Sequence, residues 1–340
     1  MDSTLPAGWT LAASAFNWTP QVIEARRTST EIVTGIARDN VAKIVEVEPG
    51  LLWRTFPAPQ NHEVDAFREA LHAAGGRVNT VGCSLDDYTT AAGRRTTGQR
   101  LEFLVPQLDA AHRVGATGVR LPIGQAGPEL LGLIQPVLHD LDLVLFEEIQ
   151  GQQDPLNPQV RPALDHIAAL NDPRIRVLVD ISMLMPALPV SYLEELARGG
   201  VSPVLCSRLE TEWKDPATNQ AVVAALRAGT VPGRIHTLFM NLLIRFGRSD
   251  AADLRDILPL VGAFHLKFWD LDDSDRRVSR PIEELGRLLA FEGFNGTLTS
   301  EWGGHEWLRD DPSEMTRRHL ALAEASLAAG AAREPARQVR

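Results

Sequence analysis

The sequence predicts an α/β protein folded as a (β/α)8 TIM barrel, and three observations support this. Short segments rich in Val, Ile, Leu and Thr recur along the chain, with helix-like apolar spacing between them. Eight such segments fit the eight parallel strands of a barrel in a chain of 340 residues. The first segment is not followed by a GxGxxG turn and the chain has no P-loop motif, which disfavours a doubly wound nucleotide-binding sheet.

The predicted strands are separated by intervals typical of βα units. They cover residues 9–18, 42–48, 77–85, 118–124, 142–150, 175–183, 263–271 and 296–302. A helix is predicted at 63–76, where apolar side chains recur three and four residues apart and Gly75 and Gly76 give a stop signal. A second helix is predicted at 99–116, and we expect Pro106 to kink it unless the helix begins there.

The interval between Asp180 and His265 is longer than the other intervals between predicted strands and could hold two further βα units. We predict that it forms an insertion between strands 6 and 7, over the barrel mouth or at a subunit contact. An alternative is that segment 235–244 forms a further strand, which would change the strand count. Its helix-like segments are 191–200, 218–229 and 249–262. The single barrel domain is predicted to span residues 1–325, followed by a flexible tail at 326–340.

Composition and charge exclude several classes of protein. Hydrophobic residues make up 44% and charged residues 23%, as in ordinary globular domains. With 44 acidic and 34 basic residues, the net charge of −10 opposes binding to nucleic acid. Cys83 and Cys206 lie far apart and outside any Cys/His cluster, so we expect neither a disulfide framework nor structural zinc. Without a signal peptide or an apolar run of membrane length, we expect a cytoplasmic protein that does not bind membranes.

Ionisable residues lie at the C-terminal ends of the last four predicted strands, which converge on one mouth in a barrel. Asp180 ends strand 6, His265 lies on strand 7 and Glu301 on strand 8. On strand 5, alternation places Glu147 and Glu148 on opposite faces; we choose Glu148, with Glu147 in reserve. Each residue alone is more often a helix cap, a solvated charge or a structural histidine. Their joint placement predicts that Glu148, Asp180, His265 and Glu301 hold one divalent metal.

Three carboxylates and one imidazole favour Mn²⁺, with Mg²⁺, Co²⁺ or Zn²⁺ as alternatives. Lys267 lies two residues after His265, so both side chains point the same way. As a catalytic group, Lys267 could hold a substrate oxygen beside the metal. An ordinary ion pair between Lys267 and a neighbouring carboxylate explains its position equally well.

The segment SEWGGHEW, residues 300–307, is a second candidate region. Two glycines follow Glu301 and allow close backbone approach. Trp302 is a candidate for stacking on a sugar, although tryptophan is also an ordinary packing residue. His305 is a candidate catalytic or substrate-contacting residue.

Other candidates lie on strands 2 and 4 and in the long interval. Arg120 on strand 4 is a substrate-binding candidate, and Glu46 and Glu48 on strand 2 could also bind hydroxyl groups. Loop and capping roles explain these residues equally well. His236 and Asn241 are treated as core or insertion residues by default.

These residues resemble the Glu, Asp, His, Glu set that xylose isomerase-like sugar isomerases and epimerases place around one divalent metal. The segments HLKFWDLDD at 265–273 and GFNGTLTSEWGGH at 293–305 resemble, more closely, the catalytic (alpha) subunits of C-glycoside deglycosidases. The resemblance covers roughly residues 9–325. It implies a metal-dependent enzyme that acts on a 3-keto sugar or glycoside, where a base removes the proton next to the carbonyl and the aglycone leaves.

Strand 5 departs from the deglycosidase pattern at one position. That group typically has EIH, whereas this chain has EIQ, so Gln150 stands where a general-base histidine is expected. Gln150 cannot take a proton and is retained as a substrate-binding candidate. Glu148 or Glu301 could move the proton, as paired glutamates do in the similar epimerases, or His305 or His236 could replace the missing base.

The first functional hypothesis is therefore a deglycosidase-like lyase. The alternative is a sugar isomerase or epimerase that acts through the same enediolate, and a further alternative is a catalytically inactive binding subunit. The expected partners are a small-molecule sugar or glycoside, and either further copies of the chain or a small β-rich subunit as in the deglycosidase complexes. The histidine-rich trinuclear zinc site of endonuclease IV-like barrels is not matched, and nucleic acid is not expected as a partner.

Overall fold

The computed structural model describes residues 5–90 and 93–333, and eight parallel strands close into a barrel within them. The predicted fold class is confirmed. Strand β1 pairs with both β2 and β8, which closes the sheet. The strands are β1 (Trp9–Ser14), β2 (Ile44–Val47), β3 (Arg77–Gly82), β4 (Gly118–Pro122), β5 (Val144–Ile149), β6 (Ile175–Asp180), β7 (Val261–Phe268) and β8 (Gly296–Trp302).

Helices surround the barrel, and several of them begin at a side-chain cap. Thr96 caps the helix that contains Pro106, so this helix begins before the proline and continues through it. A hairpin of Tyr88–Thr90 and Gly93–Arg94 follows β3. The helices are α1 (Thr19–Glu24), α2 (Ser29–Arg38), α3 (Pro49–Leu52), α4 (Asn61–Ala73), α5 (Thr97–Val114), α6 (Gly127–Asp140), α7 (Arg161–Leu170), α8 (Val190–Arg198), α9 (Pro203–Thr211), α10 (Pro216–Arg227), α11 (His236–Ile244), α12 (Ser279–Glu292) and α13 (Pro312–Ala331).

The interior of the barrel is layered, and the layers place the polar site near the mouth. On β5 the half-buried ring of Phe146 lies against Gly118 and Gly262, whose lack of a side chain leaves room for it. A Cβ atom at these positions would lie 2.5 Å and 2.8 Å from the ring. Glu148 is two residues further along the same strand and faces the same way, so it lies one layer closer to the mouth. The apolar ring of Phe146 therefore lies directly below the charged side chain of Glu148 in the barrel.

The long interval between β6 and β7 forms the predicted helical insertion. Segment 235–244 contains helix α11 and no strand, so the barrel keeps the eight strands that the sequence predicts. The insertion has its own apolar cluster, which includes Tyr192, Trp213, Phe239 and Phe246. Trp269, which follows β7, packs into this cluster and connects the insertion to the barrel.

The last helix corrects one boundary. Helix α13 continues to Ala331, so residues 326–331 are helical and not part of a flexible tail that starts after residue 325. Ala323 and Leu327 are buried, and Gly330 closely approaches the backbone of α12, which explains why the helix continues. Residues 334–340 of the predicted tail lie outside the described residues. None of the described helices has the combination of length and apolar character needed to cross a bilayer.

Candidate metal centre

The four residues that the sequence selects as metal ligands meet inside the barrel. Glu148, Asp180, His265 and Glu301 are all buried, and each offers one ligand atom within 4.8 Å of the other three. They lie at the C-terminal ends of the consecutive strands β5 to β8, where neighbouring strands pair in parallel. We call these four residues the quartet.

The donor atoms of the quartet fit a divalent cation. Asp180 Oδ2, His265 Nδ1 and Glu301 Oε2 are buried and have no hydrogen-bond partner among the described residues. His265 Nδ1 lies 2.9 Å from Glu301 Oε2 and 3.0 Å from Glu148 Oε1, but these contacts lack hydrogen-bond geometry. An unsatisfied buried polar group costs about 1–3 kcal/mol, so Asp180 Oδ2 and His265 Nδ1 point to a further binding partner, whereas Glu301 Oε2 also lies 3.3 Å from Lys267 Nζ. Oxygen and imidazole donors suit Mn²⁺ and related ions.

Two residues outside the quartet orient its members. His265 Nε2 donates to Glu46 Oε2 over 2.9 Å, which leaves Nδ1 facing the other ligands. Arg120 donates from Nε to Glu46 over 2.9 Å, from Nη1 to Glu148 over 2.7 Å and from Nη2 to Glu48 over 3.4 Å. A carboxylate on the second nitrogen of a histidine is a common way to orient a metal ligand. Arg120 therefore positions carboxylates in this structure, and its contact with a substrate stays a prediction.

Charge in the quartet is governed by the competition between burial and neighbouring cations. Burial raises the pKa of Asp180 to about 6, although Lys267 opposes the shift. Burial would also raise the pKa of Glu301, but Lys267 and His265 hold it well below its ordinary value. Burial opposes a charge on His265 as well, yet the surrounding carboxylates raise its pKa well above the ordinary value. Asp180 and His265 therefore hold protons more readily than usual beside the other carboxylates, and a divalent cation would supply positive charge in place of those protons.

A cleft of about 540 Å³ opens above the quartet at the barrel mouth. Its floor is charged and formed by Glu48, Arg120, Glu148, Lys267 and Glu301. One wall consists of amide side chains from the loop between β5 and α7, namely Gln150, Gln152, Gln153, Asn157 and Gln159. Phe16 and residues 243–245 of the insertion also line the cleft, and the backbone amide of Gln152 donates to the carbonyl of Ile244 over 3.3 Å.

Lys267 and Glu147 lie where strand alternation predicts. Lys267 Nζ is 3.3 Å from Glu301 Oε2 and 5.0 Å from the centre of the Phe16 ring, at the cleft floor. Glu147 points away from the quartet, and its Oε2 accepts a hydrogen bond from the Gly124 amide. Burial raises the pKa of Glu147 to about 7. The reserve glutamate is therefore not part of the cluster.

The two aromatic candidates, Trp302 at the end of β8 and His305 just after it, lie outside the lining of the cleft. The Trp302 side chain is buried, 1% exposed, and its indole N–H donates to the carbonyl of Trp269 over 2.7 Å. His305 is buried against the Phe16 ring, with the ring centres 4.8 Å apart. Burial is the main cause that lowers the pKa of His305 to about 4, and the positive charge of Lys267 lowers it further. Direct sugar contact by Trp302 or His305 thus stays a prediction.

The barrel of this chain is similar in fold to those of solved sugar epimerases. A D-psicose 3-epimerase from Clostridium cellulolyticum H10, solved with D-tagatose, superimposes with a TM-score of 0.57 and 11% identity. The match covers 94% of this chain and 99% of that one. At this identity the likeness shows the fold alone.

The relatives found by sequence comparison have more specific names than the proteins of similar fold. The chain is 24% identical over 324 residues to a C-glycoside deglycosidase alpha subunit of Arthrobacter globiformis, covering 93% of this chain and 92% of the relative. It is 24% identical over 325 residues to a 3'-dehydrocarminate deglycosidase alpha subunit of Microbacterium sp, covering 90% and 91%. No family model matches the chain. The resemblance predicted from the sequence is confirmed, and these relatives support the prediction that the chain is an enzyme.

Proposed function

We propose that this chain is a divalent-metal-dependent enzyme that removes the proton next to the carbonyl of a 3-keto sugar and releases the aglycone of a glycoside. The observation that carries the proposal is the buried quartet of Glu148, Asp180, His265 and Glu301 at the floor of an open cleft. The names of the sequence relatives, deglycosidase alpha subunits, support a glycoside as substrate.

The quartet would hold the ion, with Mn²⁺ preferred and Mg²⁺, Co²⁺ or Zn²⁺ as alternatives. When bound, such an ion supplies Lewis acidity that lowers the pKa of a C–H group next to a carbonyl. The ammonium group of Lys267 lies at the cleft floor, where it can hold an oxygen that becomes negative as the proton leaves. Gln150 lines the same cleft and can donate to or accept from a sugar hydroxyl, although it cannot act as a base.

The charges of the cleft favour an uncharged substrate. Each of its cations already faces a carboxylate: Arg120 faces Glu148, Lys267 faces Glu301, and Arg245 is bonded to Glu306. A phosphate group would therefore find no uncompensated cation among the described lining residues. The amide wall offers neutral donors and acceptors of the kind that recognise hydroxyl groups.

Epimerisation or isomerisation of a ketose is the second candidate function. Gln150 favours it, since Glu148 and Glu301 both lie in the quartet and could act as a pair that removes and returns a proton without a further base. A binding subunit without activity is the outcome if the site neither moves a proton nor releases a product.

The test uses the purified full chain loaded with Mn²⁺ in D₂O. It is incubated with 3-keto C- and O-glucosides, with the 6-phosphate of one of them and with free ketoses, and both aglycone release and deuterium uptake are followed. Release from the neutral glucosides, with little from the phosphate, is the expected result. Deuterium uptake without release would favour the epimerase, and neither event with bound metal would contradict enzymatic function.

We also propose that the chain works in an assembly, either with a small β-rich subunit or with further copies of itself. Its relatives are named alpha subunits, and the insertion exposes the apolar side chain of Val204. Sedimentation of the chain at micromolar concentration, alone and co-expressed with products of neighbouring genes, is expected to show an assembly. A monomer under both conditions would contradict this.

A further inference from the structure

The cleft leaves the proton acceptor of the proposed reaction unassigned. Gln150 is in the cleft but cannot take a proton. His305 is buried against Phe16, outside the cleft lining, and His236 is an exposed residue at the start of α11 in the insertion. Neither histidine is therefore placed to meet a sugar held over the quartet.

The carboxylates near the cleft differ in how closely the surrounding cations and hydrogen-bond donors contact them. Glu46 is buried and bonded to both His265 and Arg120. Glu148 and Glu301 belong to the quartet and face Arg120 Nη1 at 2.7 Å and Lys267 Nζ at 3.3 Å. Such contacts stabilise the charged form and weaken a carboxylate as a base.

Glu48 is different from these carboxylates. It lies directly after β2 and lines the cleft, and its side chain is 33% exposed. Among the described residues, its carboxylate contacts one polar side chain, that of Arg120, whose Nη2 lies 3.4 Å from Glu48 Oε1. Gly82 leaves room for both side chains, because a Cβ there would lie 3.2 Å from Glu48 Cγ and 2.8 Å from Arg120 Nη2. Glu48 is therefore held beside the quartet while its carboxylate stays open to the cleft.

We propose that Glu48 is a catalytic residue that accepts the proton from the carbon next to the substrate carbonyl. This inference rests on the proposed function. The C–H bond breaks, its proton passes to Glu48, and its electron pair forms the C=C bond of the enediolate, whose oxygen becomes negative beside Lys267. In the lyase reaction the carbonyl reforms, a C=C bond forms in the sugar, and the bond to the aglycone breaks. The aglycone leaves with that electron pair and takes the proton back from Glu48.

The electrostatic surroundings of Glu48 support this role. Burial and then the nearby charges of Glu301, Glu46 and Glu148 raise its pKa, while Arg120 opposes the shift. A raised pKa brings a carboxylate closer to the range in which a general base works best at neutral pH. Because the base must be deprotonated, the rate should rise as the pH increases through this pKa.

The test compares Glu48→Gln, Glu48→Asp and Glu48→Ala in the full chain loaded with Mn²⁺. Glu48→Gln should lower deuterium uptake by about 10²–10⁴-fold, retain its metal and lose the acid limb of the pH profile. Glu48→Asp should keep part of the rate and the acid limb. Added formate should partly restore Glu48→Ala, which a merely structural role would not allow. The control variant is Glu292→Gln, which changes an exposed glutamate on α12 and should behave as wild type.

Three outcomes would overturn the proposal, and they are distinguishable. Exchange within about 2-fold of wild type in Glu48→Gln, with an unchanged pH profile, would mean that another group is the base. Loss of metal in Glu48→Gln would show a positioning role, of the kind expected for Glu46→Gln. No exchange by the metal-loaded wild type on any substrate would contradict the proposed function itself, together with this inference.

Discussion

The double variant Asp180→Asn, Glu301→Gln is expected to retain almost no divalent metal after dialysis, whereas the wild-type chain should retain about one ion. The variant replaces two charged oxygen ligands by neutral amides in a buried site. Changes to outer partners of a metal site already cost about 10–100-fold in affinity, so the loss of two direct ligands should exceed that range. Inductively coupled plasma mass spectrometry of dialysed protein, with a titration by Mn²⁺, measures the effect.

Glu147→Gln is the matched control for this variant. Glu147 is a buried glutamate next to a quartet member on the same strand, but it points away and bonds to the Gly124 amide. A glutamine oxygen can keep that bond, so the control should bind metal as wild type does. Circular dichroism shows whether each variant is folded. Full metal occupancy in the folded double variant would count decisively against the site.

Replacing Arg120 by Met is expected to lower the free energy of unfolding of the metal-free protein by about 3–5 kcal/mol. Its side chain is 12% exposed and donates to Glu46, Glu48 and Glu148 from three different nitrogen atoms. Methionine has a similar length but carries no charge, so the variant leaves buried carboxylates without their counter-ion. Urea unfolding followed by circular dichroism measures the loss.

Arg280→Met tests whether the loss depends on burial. Arg280 also contacts a glutamate, with its Nε atom 3.8 Å from Glu284, but its side chain is 52% exposed. Exposed pairs of this kind contribute about 0–1 kcal/mol. Similar losses in the two variants would mean that Arg120 does not compensate the buried carboxylates as the structure indicates.

The barrel could be predicted because its signals are local. Each strand and helix is encoded by the spacing of apolar residues within one short segment, and by caps such as Thr96 and stops such as Gly115. Strand alternation is equally local, and it was enough to select Glu148 over Glu147 for the interior face. The segment 235–244 shows where the local signal ends, because a short apolar run is compatible with either a strand or a helix.

The arrangement around the quartet could not be predicted in the same way. The contact of His265 with Glu46 joins residues 219 positions apart, and that of Arg120 with Glu46 joins residues 74 apart. The sequence shows that these side chains face the interior, but not which of them meet. Trp302 illustrates the same limit, since its amide donates to Asn17 and its indole to Trp269, and these bonds hold the ring away from the cleft.

The sequence by itself determined the alternation of strands and helices, the barrel and the four strand ends that carry the quartet, because these depend on contacts within short segments. Only the tertiary structure showed that Arg120 and Glu46 position the quartet, that Trp302 and His305 lie outside the cleft lining and that Glu48 is open to it. The physical reason is closure of the sheet. Pairing of β1 with β8 brings the distant strands β2, β4 and β7 around one interior, and the partners, burial and charges of their side chains exist only there.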